Sequence, residues 1–320
     1  MSRIAVVGCG VVGSSWALVF ARAGFEVSVY DQSAAAVGDT LTFVRAALDD
    51  LSAQGLGGAE SADVVHARLK PVTTLEAALE GVDYIQESAP ERLEIKRELY
   101  QRLDAIAAPN IILASSTSGL PASSFTETLA HRERCLVVHP INPPHLVPLV
   151  ELVPAPWTDA AVLARAAELM RHAGQSPIQL SREINGFVVN RLQSALLGEA
   201  FRLVEDGICS SADVDKAMSD GLGLRWFFMG PFETIDLNAK NGVAEYCKNL
   251  GAMYYGLAKE QADPREWKTP LVESIEQQRR QVTTASGLAA RRSWRDRCLA
   301  AFVAAKRRVL DEQQTASTTE

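Results

Sequence analysis

An imidazole and a carboxylate stand out in this sequence because of their neighbours. His139 directly follows the apolar run Cys135–Val138, and Glu151 interrupts the apolar run Pro148–Val153. A carboxylate in such a strand is costly unless it is paired. An imidazole twelve positions upstream is the economical partner. A carboxylate on one ring nitrogen fixes the tautomer and leaves the other nitrogen to face a substrate. It also favours a proton on the ring. The chemistry that suits such a pair is removal of a proton from a hydroxyl. The alternative reading is a solvent-facing glutamate on an edge strand. The other histidines say less. His66, His131 and His172 sit in polar helical or loop settings and read as surface residues. His145, in Pro143-Pro144-His145, either borders the site or is an ordinary loop residue.

A second constellation lies at the start of the chain. Gly8-Cys9-Gly10-Val11-Val12-Gly13 has the spacing G-x-G-x-x-G, follows the apolar run Ile4–Val7 and opens a helical pattern. That context is what the motif requires. The glycines allow a tight turn, backbone approach to a pyrophosphate and close packing of helix on strand. The helix N-terminus offers free N–H groups to the anion. Asp31 ends the second strand, 18 residues after Gly13. A carboxylate there accepts hydrogen bonds from an adenosine ribose and repels a 2′-phosphate, which favours NAD over NADP. The cofactor expected is therefore NAD, with Gly8, Gly10, Val11, Val12, Gly13 and Asp31 at its site. With a hydride acceptor present, His139 becomes the candidate base for an alcohol proton.

The elements that must carry these residues alternate. Strand candidates are Ile4–Val7, Val27–Tyr30, Tyr84–Gln86, Ile111–Ala114, Cys135–Val138 and Leu149–Val153, with helical stretches such as Ser14–Ala23 and Leu93–Ile106 between them. Such alternation predicts a doubly wound α/β domain of Rossmann type with a mainly parallel sheet. From Phe187 onward apolar residues recur at helical spacing. The boundary is placed at residue 186, giving a dinucleotide-binding domain over 1–186 and an all-helical domain for substrate and dimer contacts over 187–320.

Composition narrows the function classes. Lys and Arg number 32 against 39 Asp and Glu, a net charge of −7. That balance argues against a nucleic-acid partner, since phosphate neutralisation needs excess cations. No uncharged apolar stretch is long enough for a membrane span. The five cysteines are widely spaced and form no C-x-x-C. They suggest neither a disulfide framework nor a metal site, and fit a reducing, cytoplasmic setting. Arg3 followed by residues 4–9 mimics an export signal, but its apolar core is too short.

Two further polar groups are candidates. Ser115-Ser116-Thr117-Ser118-Gly119 follows the strand Ile111–Ala114. Hydroxyls there either bond a substrate oxygen or cap the next helix. Asn190 lies early in the first helix of the second domain, where its amide could reach back into a cleft between the domains.

In this order, Gly8-x-Gly10-x-x-Gly13, the Ser-Thr-Ser turn at 116–118, His139-Pro140-Ile141-Asn142-Pro143, Glu151 and Gly186-Phe187-Val188-Val189-Asn190-Arg191 resemble the 3-hydroxyacyl-CoA dehydrogenase superfamily over roughly residues 3–310. The resemblance is greatest to its lambda-crystallin branch, the L-gulonate 3-dehydrogenases. It is carried by Gly221–Trp226, Gly230–Thr234 and Ala290–Asp296. L-carnitine dehydrogenases share the segment Gln86–Glu94. The resemblance implies that His139 is the general base and Glu151 its partner. Ser118 and Asn190 would bond the reacting oxygen, and Glu91 and Lys96 would line the nicotinamide-ribose side. It also implies a homodimer through the helical domain. Acyl-CoA members have two aromatic residues after the histidine, where this chain has Pro140-Ile141.

Charge bears on the substrate. Gln32 to Ser61 contains one basic residue, Arg45, and four acids, Asp39, Asp49, Asp50 and Glu60. Acyl-CoA members are lysine-rich there, so this surface would repel the phosphates of coenzyme A. A free small L-3-hydroxy acid, L-gulonate foremost, is the expected substrate. Its carboxylate needs a counter-charge. Arg225 beside Trp226 is one candidate, and Arg291, Arg292 and Arg295 are others, although an arginine row on a helix is equally a solvated face or a subunit contact. Trp226, Phe227 and Phe228 would also suit a trimethylammonium group. The competing readings are an acyl-CoA or carnitine dehydrogenase, and a non-catalytic NAD-binding structural protein.

Overall fold

The computed structural model describes residues 3–317. Its contacts divide the chain into two units. One runs through Val189 and takes in the segment from Asp296 on; the other is Asn190–Arg295. This differs from a single cut at residue 186. The physical reason is packing: in the last helix, Leu288–Ser317, Ala300 is buried in the first unit's core with Leu299 and Ala304 against it.

The first unit is built on one eight-stranded sheet in the order β3-β2-β1-β4-β5-β6-β7-β8. The strands are β1 Arg3–Val7, β2 Glu26–Tyr30, β3 Leu69–Pro71, β4 Tyr84–Glu87, β5 Ile112–Ser115, β6 Cys135–Pro140, β7 Leu149–Pro154 and β8 Ser176–Gln179. β1 to β6 pair parallel, β7 is antiparallel to β6, and β8 is parallel to β7. The mainly parallel, doubly wound sheet is the one the alternation predicts. The sequence reading did not foresee β3 and β8. Both are short, both contain a proline, and β8 is only half-buried.

Alternation of side chains builds two cores from one strand. In β1, Ile4 and Val6 join a cluster with Trp16, Phe20, Val44 and Met170, while Ala5 and Val7 join another with Ile85, Tyr100 and Leu113. Strands covered on both faces read as continuous apolar runs, which is why Ile4–Val7 and Cys135–Val138 were legible. The chain turns back at β1, with β2 and β3 to one side and β4 to β6 on the other. The carboxyl ends of β1 and β4 flank that switch point, where open α/β sheets bind ligands.

One buried ion pair fixes where β6 begins. Arg134 is 1% exposed. Its guanidinium donates to Asp104 Oδ1 at 2.6 Å, to the Asp104 carbonyl at 3.1 Å and to the carbonyls of Ala107 and Ala108. Asp104 also accepts from the backbone N–H of Ala130 and His131. The end of the helix Leu93–Ile106 is thereby tied to the residue before β6.

The second unit is helical, with Ser211–Ala217, Pro231–Leu237, Val243–Glu260 and Thr269–Val282 among its elements. Its described residues include only two buried ones, Ser211 and Thr234, while Leu224, Phe232 and Tyr255 are largely exposed. No described helix is long and apolar enough to cross a membrane.

Removing one member of a buried pair leaves the other uncompensated. Arg134→Ala is expected to lower the unfolding free energy by about 3–5 kcal/mol in urea titration. A loss below about 1 kcal/mol would show that water replaces the guanidinium.

Candidate active site

His139 is the penultimate residue of β6, and antiparallel register sets it directly opposite Glu151 of β7. The imidazole is 4% exposed and the carboxylate 0%. His139 Nδ1 lies 2.7 Å from Glu151 Oε2. A carboxylate accepts, so Nδ1 carries the proton of that bond and Nε2 of the neutral ring keeps its lone pair. The other carboxylate oxygen, Oε1, accepts from the backbone N–H of Val188 at 2.7 Å and of Val189 at 3.1 Å. These donors come from a sharp bend. Gly186 and Phe187 both have positive φ, 75° and 50°, and the bend delivers the two following N–H groups to one oxygen. A non-glycine residue at positive φ persists only where its surroundings hold it. Here the Phe187 ring is buried against the imidazole, with centroids 5.4 Å apart. Burial by itself would raise the Glu151 carboxyl. The bond from His139, the two backbone bonds and attraction to His139 outweigh it and hold the group below its ordinary value.

The serine turn hangs from a separate acid. Glu91 Oε1 accepts from the Thr117 hydroxyl and from the N–H of Ser118 at 3.0 Å and of Gly119 at 3.1 Å. Ser118 follows β5, which pairs parallel with β6, so Ser118 and His139 lie at the carboxyl ends of neighbouring strands. Lys96 is fully buried beneath this turn. Its ammonium sits 2.9 and 3.0 Å from the two oxygens of the equally buried Glu87, and 3.7 Å from Glu91 Oε2. Lys96 is therefore tied to the serine turn through Glu91. Glu87 was not among the sequence-derived candidates. Its signal was a charge ending an apolar strand, the same signal that exposed Glu151.

The glycine turn fits a dinucleotide. A Cβ on Gly13 would lie 1.8 Å from the Gly8 carbonyl oxygen, and one on Gly8 would lie 2.6 Å from the Ser88 backbone. Nothing lies within 4 Å of a Cβ built on Gly10, which faces open space. The helix α1, Val11–Arg22, has no side-chain cap, so its first N–H groups remain available to a pyrophosphate. Val11 is well exposed there and Val12 half-buried. Asp31 accepts from the N–H of Cys9 and of Ser33, both at 2.8 Å, and this anchors it beside the turn. Gly8, Cys9, Gly10, Tyr30, Asp31 and Ser88 line a cavity of 670 Å³. These residues would hold NAD.

Three further sequence candidates are His145, Asn190 and Arg225. His145 does not line that cavity. It borders a separate one of 210 Å³ with Arg22, His172 and Arg307, and its Nδ1 meets the Ser15 hydroxyl at 3.1 Å. Burial, opposed by Asp296 and aided by Arg22, pushes its pKa down to about 4. Asn190 lies in the first turn of the helix Val189–Glu205, and Arg225 is exposed in the short helix Gly223–Trp226, both in the second unit.

A carboxyl held below its ordinary value in the folded state contributes stability above the unfolded pKa of about 4.3, and that stability is lost as pH falls through the folded value. The stability advantage of the native protein over Glu151→Gln should thus be full near neutrality and shrink below about pH 4. A gap that stays constant across that acid range would show that Glu151 gains nothing from its charge.

Two family models cover most of the chain. The 3-hydroxyacyl-CoA dehydrogenase NAD binding domain matches residues 3–184, and the C-terminal domain of the same family matches 186–285. A lambda-crystallin homolog of Bos taurus is 45% identical over 92% of this chain and 93% of its own. An L-carnitine dehydrogenase of Streptomyces coelicolor is 41% identical over 78% of this chain and 77% of its own. Among solved structures, the NAD+-dependent dismutase 5-formyl-3-hydroxy-2-methylpyridine 4-carboxylic acid 5-dehydrogenase has a TM-score of 0.81 at 27% identity, covering 97% of this chain and 99% of that one. With a glycine turn shaped for a dinucleotide, an imidazole braced by a buried carboxylate and both family domains in sequence order, the chain belongs to the 3-hydroxyacyl-CoA dehydrogenase family.

Proposed function

We propose that this NAD-dependent dehydrogenase oxidises the 3-hydroxyl of a small, free L-3-hydroxy acid, with L-gulonate the foremost substrate. The observation that carries the chemistry is the His139–Glu151 pair, which leaves imidazole Nε2 as the unprotonated nitrogen. NAD, when bound, supplies the acceptor for the hydride lost from C3. His139 Nε2 takes the hydroxyl proton. Glu151 holds the ring in one tautomer and orientation and balances the charge that the ring acquires. Ser118 is assigned to the reacting oxygen, positioned by the grip of Glu91 on its backbone N–H. Asn190 is assigned to the same oxygen on the resemblance alone.

Charge supports a free acid over a coenzyme A ester. Arg45, the lone basic residue between Gln32 and Ser61, is paired with Asp49 at 3.4 Å and with Asp63. No unneutralised cation remains on that segment for a phosphate. The L-gulonate assignment rests on the lambda-crystallin relatives, and Arg225 is the proposed fork for the substrate carboxylate. The unpaired cysteines suit a reducing, cytoplasmic setting.

Steady-state kinetics with L-gulonate, L-carnitine, L-3-hydroxybutyrate and 3-hydroxybutyryl-CoA tests the substrate. L-gulonate should give the highest kcat/KM, and His139→Ala should lower turnover by about 10²–10⁴-fold while NAD still binds. Preference for the CoA ester would refute the charge argument. NAD binding without turnover of any of the four would favour a structural protein.

The second unit is further proposed to form a homodimer. Leu224, Phe232 and Tyr255 are each at least 65% exposed, and large apolar side chains in water are what a subunit interface would cover. Light scattering should give twice the chain mass, with Phe232→Asp shifted toward monomer. A monomeric native protein at micromolar concentration would remove this proposal.

A further inference from the structure

Ser88 directly follows β4 and lines the dinucleotide cavity beside Gly8, Cys9 and Gly10. It packs against the glycine turn from behind. Its backbone fills the space a Gly8 Cβ would need, and its Cβ lies 3.4 Å from where a Gly13 Cβ would sit. A line of hydrogen bonds runs from Ser88 into the sheet. Ser88 Oγ is 2.9 Å from Ser116 Oγ. Ser116 Oγ also lies 3.1 Å from Trp16 Nε1 and 2.7 Å from Gln86 Nε2. Gln86 Oε1 in turn takes the Tyr84 hydroxyl at 2.6 Å.

Counting protons fixes the direction of every bond in this line. An indole N–H only donates. The Gln86 amide nitrogen also faces the Val138 carbonyl at 3.5 Å, where an amide oxygen would oppose another acceptor. Nε2 is therefore on that side, and it donates to Ser116. A hydroxyl has two lone pairs and one proton. With both lone pairs of Ser116 taken by N–H donors, its proton goes to Ser88 Oγ. Ser88 is then the acceptor in that bond, and its own proton must be used elsewhere. Among the described residues Ser116 is the only side-chain partner of that hydroxyl, and Ser88 itself lines the cavity.

We propose that the Ser88 hydroxyl is a dedicated hydrogen-bond donor to a pyrophosphate oxygen of bound NAD. It is a positioning residue whose direction is set by Trp16 and Gln86 through Ser116. The pyrophosphate is the part of the dinucleotide that a glycine turn and the uncapped start of α1 would hold, and Ser88 abuts both. An anionic oxygen is also the acceptor that best rewards a neutral donor. The inference rests on the NAD-binding fold and is independent of which hydroxy acid is oxidised.

Calorimetric titration of Ser88→Ala with NAD and with adenosine, together with thermal melting of the free protein, tests it. The Kd for NAD should rise about tenfold while that for adenosine, which has no phosphate, stays within about twofold. In kinetics the loss should fall on KM for NAD more than on kcat. Ser116→Ala should behave in the opposite way. It leaves two N–H donors without an acceptor, so it should lower Tm more than Ser88→Ala does, and it should weaken NAD less because Ser88 can still donate. A change in NAD affinity below twofold in Ser88→Ala would overturn the proposal, as would an equal loss for adenosine. Should Ser88→Ala fail to fold, Ser88→Cys keeps the volume with a much weaker donor, and unchanged NAD affinity in that variant overturns the proposal equally.

Discussion

The first unit of this molecule depends on how one buried carboxylate is satisfied. Glu151 sits in a strand covered on both faces, and its two oxygens receive three hydrogen bonds from different parts of the chain. The pair with His139 comes from strand register, so it is as rigid as the sheet. The pair of backbone donors comes from the Gly186–Phe187 bend, which also presses an aromatic ring on the imidazole. Desolvating a carboxylate is expensive, and these bonds offset that cost. The same bonds leave the imidazole with one protonated nitrogen turned inward and one lone pair left over. The bonds that satisfy the carboxylate and the tautomer of the imidazole are thus one arrangement.

A second buried acid does a parallel job for the serine turn. Glu87 neutralises Lys96 inside the unit, and Lys96 stands behind Glu91, which gathers the N–H groups of Ser118 and Gly119. A buried ion pair contributes little net stability compared with well-packed apolar residues. Its use here is geometric. It fixes the loop that carries Ser118, after the strand next to the one that carries His139. The switch point beside β1 and β4 then supplies the cofactor turn on the same edge of the sheet.

Much of this was legible in the residues, for identifiable reasons. Parallel strands covered on both faces give unbroken apolar runs, and a charge inside such a run stands out, as Glu151 did. The glycine turn was legible because steric exclusion, seen at Gly8 and Gly13, can be met only by glycine. β3 and β8 were missed because three- and four-residue strands at the sheet edges carry no period. The roles of Val188 and Val189 were hidden because their contribution is a backbone N–H, which every residue but proline has. The burial of Lys96 was hidden because the pairing with Glu87 that permits it forms only in the folded unit.

Sequence alone determined the fold class, the cofactor and the pairing of His139 with Glu151, because each follows from local patterns: strand and helix periods, glycine spacing, and a charge out of place. The tertiary structure decided three further things. It showed which oxygen of Glu151 meets which donor, that Ala300 of the last helix returns to the first unit's core, and that the protons of Trp16, Gln86 and Ser116 run in one direction toward Ser88. These depend on groups brought together from distant parts of the chain, 100 residues apart for Trp16 and Ser116. No local pattern encodes a hydrogen-bond direction, which is set only when all the partners of an atom are in place.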